Sequence, residues 1–418
     1  MFMGGLVGDA LALQGHYEYD AKKIKASIGS YTDFGAPGQG MGGTTHGVGW
    51  GEANFHPGKV AGDGTDSGDV AVMLLEQLVQ AQGEYTFDGY ELYWRKEILE
   101  NGYGSCNFQT VKGSVCPPGM RPGYINGASR RTLGAIQSRP SARGRHGSTT
   151  DSATDGVTDG VTDGVTDSVT DSVADSVADS VADSVADSAL AANANCLFGA
   201  THLGPLFFLL NGSGPADEEL LVKQAVSTVF LSHNNPDPIA ASEFLARTLF
   251  RIIVNGMRLE VALQSAADHM QHPMISTWLK TAQDKVAEVS DASRPLSREE
   301  FADDLALTSL ARLWEVGKSE PIKVGKASPV EGSLPGSLYI ALRYKNSLEQ
   351  ALIANANVGG DSAVRGIVIG MLLGAVHGAD AIPARWTEGL RSGKHVASLM
   401  DQLVAQVAER REGARKEL

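Results

Sequence analysis

The sequence predicts an all-α protein on two observations. Apolar residues recur at i, i+3, i+4 and i+7 in five separate segments, and the alternation of a half-buried strand is scarce. Of the 418 residues, 42% are hydrophobic, enough for one large core, and a single domain over 1–418 is expected. The formal charge is −14, but ten aspartates at every fourth position from Asp151 to Asp187 supply ten of those charges and leave −4 for the rest of the chain. With no basic stripe to match a phosphate backbone, a nucleic-acid partner is not expected. The one basic cluster, SRPSARGRHG (138–147), is broken by Pro and Gly and reads as a loop.

Taken in order, GGLVGDALAL (4–13) is too apolar for a surface helix, yet it contains Asp9. A carboxylate buried there without a partner costs several kcal/mol, so Asp9 should be hydrogen-bonded or paired. Residues 29–64 are glycine-rich and show no period; a loop of that length is usually functional or mobile. The five periodic segments are SGDVAVMLLEQLVQAQ (67–82), DEELLVKQAVSTVFLSHN (217–234), DPIAASEFLARTLFRIIVNGM (237–257), SREEFADDLALTSLARLWEV (297–316) and SGKHVASLMDQLVAQVAERRE (392–412), each opening on Asp or Ser as helices do. GSLYIALRYKN (336–346) is the most strand-like stretch and fits a helix equally well.

Between them lies a tract of TDGV, TDSV and ADSV units, an insertion placed at 146–187. In a helix, aspartates four apart would repel one another, and Gly, Thr and Ser weaken it further. The glycine-bearing half is expected to be disordered and the alanine-bearing half to form a frayed helix leading into LAANANCLFGATHLGPLFFLL (190–210). A calcium site would need oxygens converging through glycine turns, which a uniform four-residue unit does not offer. The three cysteines have no metal-ligand spacing, fit a reducing compartment and suggest no disulfide framework. The N-terminal run lacks a basic leader, no window reads as a membrane span, and a cytoplasmic location is expected.

Three aspartate sites carry the candidate chemistry: Asp9; GDGTDSGDVAV (62–72), with Thr65, Asp66, Ser67 and Asp69 at a helix mouth; and NVGGDSAVRGIVIGMLLG (357–374), with Asp361 and Ser362 at another. Hard cations such as Mg²⁺ take carboxylate and hydroxyl oxygens, and two helix mouths meeting face to face would supply them. Each residue has a plainer role available. Asp66, Ser67, Asp361 and Ser362 are ordinary N-cap types, and His233 in SHNN (232–235) suits a helix C-terminus. The sequence has no phosphate loop, G-x-S-x-G elbow, H-E-x-x-H or Cys-x-x-Cys.

Read together, GGLVGDAL (4–11), GTDSGD (64–69), NVGGDSAVRGIVIGMLLGA (357–375) and AIPARWTEGL (381–390), with HNNPDPIAASEFLA (233–246) between, resemble the ADP-ribosylglycohydrolase family in order and spacing across nearly the whole chain. The resemblance implies an orthogonal all-α bundle, Mg²⁺ as cofactor and ADP-ribose as the substrate moiety, with a carboxylate-activated water attacking the anomeric carbon. Residue by residue, it implies Thr65, Asp66 and Asp361 as metal ligands, with Asp66 and Asp361 catalytic. Asp9, His16, Asp69, His233 and Ser362 become candidates for ligand binding. Ser67 replaces the second Asp of the family's Thr-Asp-Asp, Ala363 and Val364 replace the closing Asp and Thr, and His16 falls near the usual Glu. The expectation is therefore one ion rather than two, or none, in a hydrolase with a reduced site. These departures resemble the family's crystallin-like branch, whose implied alternative is a catalytically silent binder or structural protein.

Overall fold

The computed structural model describes residues 1–29, 31–37, 54–107, 109–111, 114–138, 190–313, 322–323 and 325–417. The Asp-repeat tract lies outside them, as does the middle of the 29–64 segment. The helices are α1 (Phe2–Ala12), α2 (Ala21–Ile28), α3 (Asp66–Gln80), α4 (Phe87–Leu99), α5 (Gly127–Gln137), α6 (Pro215–Val229), α7 (Pro236–Ile253) and α8 (Leu259–Met270). They continue with α9 (Pro273–Ser290), α10 (Ala302–Leu310), α11 (Val330–Arg343), α12 (Leu348–Val358), α13 (Ser362–His377), α14 (Ala384–Gly389) and α15 (Gly393–Glu417). The only strands among the described residues are Arg312–Leu313 and Ile322–Lys323, paired antiparallel. The fold is all-α, as the periodicity predicts. No helix among the described residues is long and apolar enough to cross a membrane.

The most extensive contact joins α1 to α13. Both helices are apolar nearly all round and fully buried over most of their length, the pattern of a helix pair at the centre of a core. They run antiparallel with glycine on glycine. A Cβ at Gly4 would collide with the carbonyl of Gly370, one at Gly8 with that of Gly366, and the reverse holds for Gly366 and Gly370. This register sets the end of α1 beside the start of α13, so Asp9, the following turn and Asp361 share one end of the bundle. Overpacking a tight contact costs about 1–3 kcal/mol or more. Gly8→Val should therefore lower the urea midpoint by a stability loss of at least that size, whereas Gly134→Ala, which meets nothing within 4 Å, should not.

The structure corrects two expectations and adds one local detail. The 297–316 segment is not one helix: a 3-10 turn at Pro295–Arg298 precedes α10, and the chain turns extended at Ala311. Tertiary contacts override the local period there. Asp304 bonds Lys326, Asp303 bonds Tyr339 and Tyr344, and Gly325 lies against the Leu307 carbonyl, so the chain returns across the end of α10. The 190–210 segment forms 3-10 helices at Leu197–Ala200 and Gly204–Leu209, and the frayed helix expected before it lies outside the described residues. Gly199 is pressed against His233 and Gly204 against Phe2, contacts that leave no room for side chains. Finally, the odd cysteine count conceals a pair: Cys106 and Cys116 form a disulfide, and Cys196 is the free thiol.

Candidate functional site

The two helix mouths do meet, and their carboxylates are not caps. Thr65 caps α3, its Oγ1 accepting from Ser67 N at 3.2 Å, so Asp66 begins the helix with its carboxyl group unused for capping. Asp361 occupies the cap position of α13 but makes no capping bond; its Oδ1 lies 3.0 Å from His16 Nε2. The loop that presents it is built on Gly359 and Gly360, with φ of 73° at both, a region where a side chain would be strained. Tyr17 N donates to Gly360 O at 2.9 Å and Gly360 N to Glu18 O at 2.6 Å, tying this loop to the turn carrying His16. Beneath it the fully buried Arg365 donates to Asn355 Oδ1 (3.1 Å), Lys326 O (3.0 Å) and Gly359 O.

Asp9 has the partners that its burial demands. Its Oδ2 accepts from Thr65 N at 2.7 Å and its Oδ1 from Thr65 Oγ1 at 2.5 Å. Burial pushes its carboxyl up to about 6, against the lowering effect of those bonds. Asp66 accepts from Asn126 Nδ2 at 3.3 Å. Burial raises the Asp66 carboxyl well above the usual carboxylate range; the Asn126 bond opposes this, and Asp9, Asp361 and Asp69 add to it. Asp69 Oδ2 accepts from Lys59 Nζ at 2.6 Å and Tyr103 OH at 2.7 Å. Burial alone would lower the Lys59 ammonium, but Asp69, with help from Asp63 and Asp9, raises it on balance.

The structure thus brings Asp9, His16, Thr65, Asp66 and Asp361 into one buried cluster, with the half-buried Asp69 at its edge. Ser362 is beside it, with a buried hydroxyl that has no partner among the described residues. His233 stands one layer back: its Nε2 is 2.7 Å from Cys196 Sγ and its Nδ1 2.8 Å from Ser232 Oγ. It does lie just past the C-terminus of α6, but it is fully buried, and burial holds its imidazole down to about 3, so it is not the capping cation that position suggested.

Sequence reasoning missed His56, Lys59, Asn126 and the aromatic walls. His56 Nε2 lies 2.8 Å from His16 Nδ1, Tyr17 stacks on His16, and Tyr124 meets His56 edge-on. Two cationic residue types flank a Pro-Gly turn in HPGK (56–59), the one signal within the glycine-rich segment that could have marked them. That turn is held by the disulfide loop. Gly58 N donates to Ser114 O at 2.9 Å, and both sulfurs sit near Pro57 O. Beside Asp66, a cleft of about 10 Å³ is lined by Trp94, Tyr103, Tyr124, Asn126 and Phe198. That is about the room one water needs.

The oxygens present do not fit the magnesium that the resemblance implies. Thr65 Oγ1 is committed to Asp9 and Ser67 N, Asp361 Oδ1 faces His16, and Asp69 Oδ2 holds an ammonium. Among the described residues, no group of three or more His, Cys, Asp or Glu is arranged to hold a metal ion.

The fold is thus an all-α bundle that gathers carboxylates from two helix mouths into one aromatic-walled cluster. The family is ADP-ribosylglycohydrolase, to which the chain belongs: that family's model matches residues 1–413. No curated protein matches the chain. A solved structure described as an ADP-ribosylglycohydrolase-related protein complex is similar in fold, with 18% identity, a TM-score of 0.53, and coverage of 97% of this chain and 96% of that one.

Proposed function

We propose that the protein is a hydrolase that cleaves a glycosidic bond of ADP-ribose at the cluster around Asp66 and Asp361. The observation that carries this reading is the convergence of two helix mouths on carboxyl groups whose oxygens are not used as caps. Asp66, whose burial favours the acid form, donates a proton to the leaving atom as the C1–O or C1–N bond breaks. Asp361, with His16 behind it, takes the proton of the attacking water; a proton then returns to Asp66 to close the cycle. Asp9 and Thr65 hold the mouth of α3 in place. No step is routed through a metal.

A second reading, a catalytically silent and crystallin-like binder of ADP-ribose, is favoured by a specific observation. Ser67, Ala363 and Val364 remove the family's oxygens, and His16 already occupies an oxygen of Asp361. Release of ADP-ribose from modified Arg, modified Ser and small-molecule conjugates separates the two. The hydrolase reading expects release that falls by about 100-fold or more in Asp66→Asn and in Asp361→Asn, the scale of a lost general acid or base. Binding of ADP-ribose without release in the wild type would establish the second reading instead.

A further inference from the structure

We propose that the Lys59 ammonium and the His16 ring occupy the oxygens of Asp69 and Asp361 that a divalent cation would otherwise take, so that the acidic cluster works without bound metal. The inference rests on reading this cluster as the ADP-ribose site.

Lys59 Nζ is nearly buried, 2.6 Å from Asp69 Oδ2, where Tyr103 OH donates to the same oxygen. His16 is sealed between Asp361 and His56, with Tyr17 stacked on its face. Both reach the cluster on rigid supports. His16 follows α1, whose glycine contacts with α13 fix its position. Lys59 ends a turn pinned by Ser114 and by the Cys106–Cys116 loop.

Magnesium demands near-ideal octahedral oxygen and sheds its water reluctantly. To take Asp361 Oδ1 it would have to displace His16, to take Thr65 Oγ1 it would have to part Thr65 from Asp9, and Asp69 Oδ2 already faces the Lys59 ammonium.

The test is thermal unfolding of the full chain in EDTA and then in about 5 mM Mg²⁺, Mn²⁺ or Ca²⁺. A site with Kd near 0.1 mM would raise Tm by several degrees under these conditions. The wild type is expected to move by less than about 1 °C. Lys59→Met and His16→Glu, where they fold, are expected to gain a rise of at least about 3 °C, and Lys59→Arg to remain insensitive. A rise of several degrees in wild type overturns the proposal, as does a folded Lys59→Met or His16→Glu protein that gains none. If those variants fail to fold, the wild-type titration decides alone. ADP-ribose added in EDTA is read separately: failure to bind would sink the ligand assignment, while the metal titration still judges Lys59 and His16.

Discussion

Replacing Arg365 with Met lowers the stability of the fold by about 3 kcal/mol or more, read as a fall in the urea midpoint at unchanged slope. Its guanidinium is fully buried and donates to Asn355 Oδ1, Lys326 O and Gly359 O. Each acceptor left bare in the interior costs about 1–3 kcal/mol, although Lys326 O keeps a second bond from Asp361 N at 2.8 Å. Relief of the desolvation of Arg365 offsets part of that loss; burial already draws its pKa down to about 10. Arg365→Lys should not rescue, since one ammonium cannot span the acceptors that a planar fork reaches. A loss below about 1 kcal/mol in Arg365→Met would contradict this account of the Gly359–Asp361 loop.

Acid should unfold the protein through His202 and His233. Both are fully buried, and burial holds each imidazole down to about 3, with His233 adding to the effect on His202 and Arg131 to that on His233. Unfolded imidazole titrates near 6.5. The stability gained by keeping these rings neutral is therefore fully present above about 6.5 and is lost as pH falls from there toward 3. At about 1.4 kcal/mol per pH unit, each ring accounts for several kcal/mol, comparable with the whole stability of a typical domain. Asp9 acts in the opposite sense: with a folded value near 6, it contributes stability at low pH that is lost as pH rises through that value. His202→Leu isolates the histidine effect. It removes one titrating ring together with two ring nitrogens that have no partner among the described residues, and it should lower the acid unfolding midpoint by about half a pH unit or more. An unchanged acid limb would contradict the assignment.

What could be read from the sequence follows from how local its cause is. The helices at 67–82, 217–234, 237–257 and 392–412 announced themselves because one apolar stripe faces one core, and the structure places each within a few residues of its expected bounds. The 297–316 segment carried the same period but breaks at Ala311, because the partners of Asp303 and Asp304 lie on distant chain. Asp9, Asp66 and Asp361 were legible as carboxylates in apolar or glycine-rich surroundings, where charge needs a reason. His56, Lys59 and Asn126 were not: their roles depend on contacts spanning 40, 10 and 60 residues, and nothing in their immediate context is costly enough to demand a partner. The pairing of Cys106 with Cys116 was hidden by an odd count that looked like no pairing at all.

The proposed meeting point of this chain with ADP-ribose is the cluster of Asp9, Asp66 and Asp361. Isothermal titration of ADP-ribose in EDTA, into wild type and into Asp361→Asn, tests it most directly. The account predicts measurable binding to wild type that weakens by at least about tenfold, or about 1.4 kcal/mol, in Asp361→Asn. Absence of binding to wild type, or equal binding to both proteins, would contradict it.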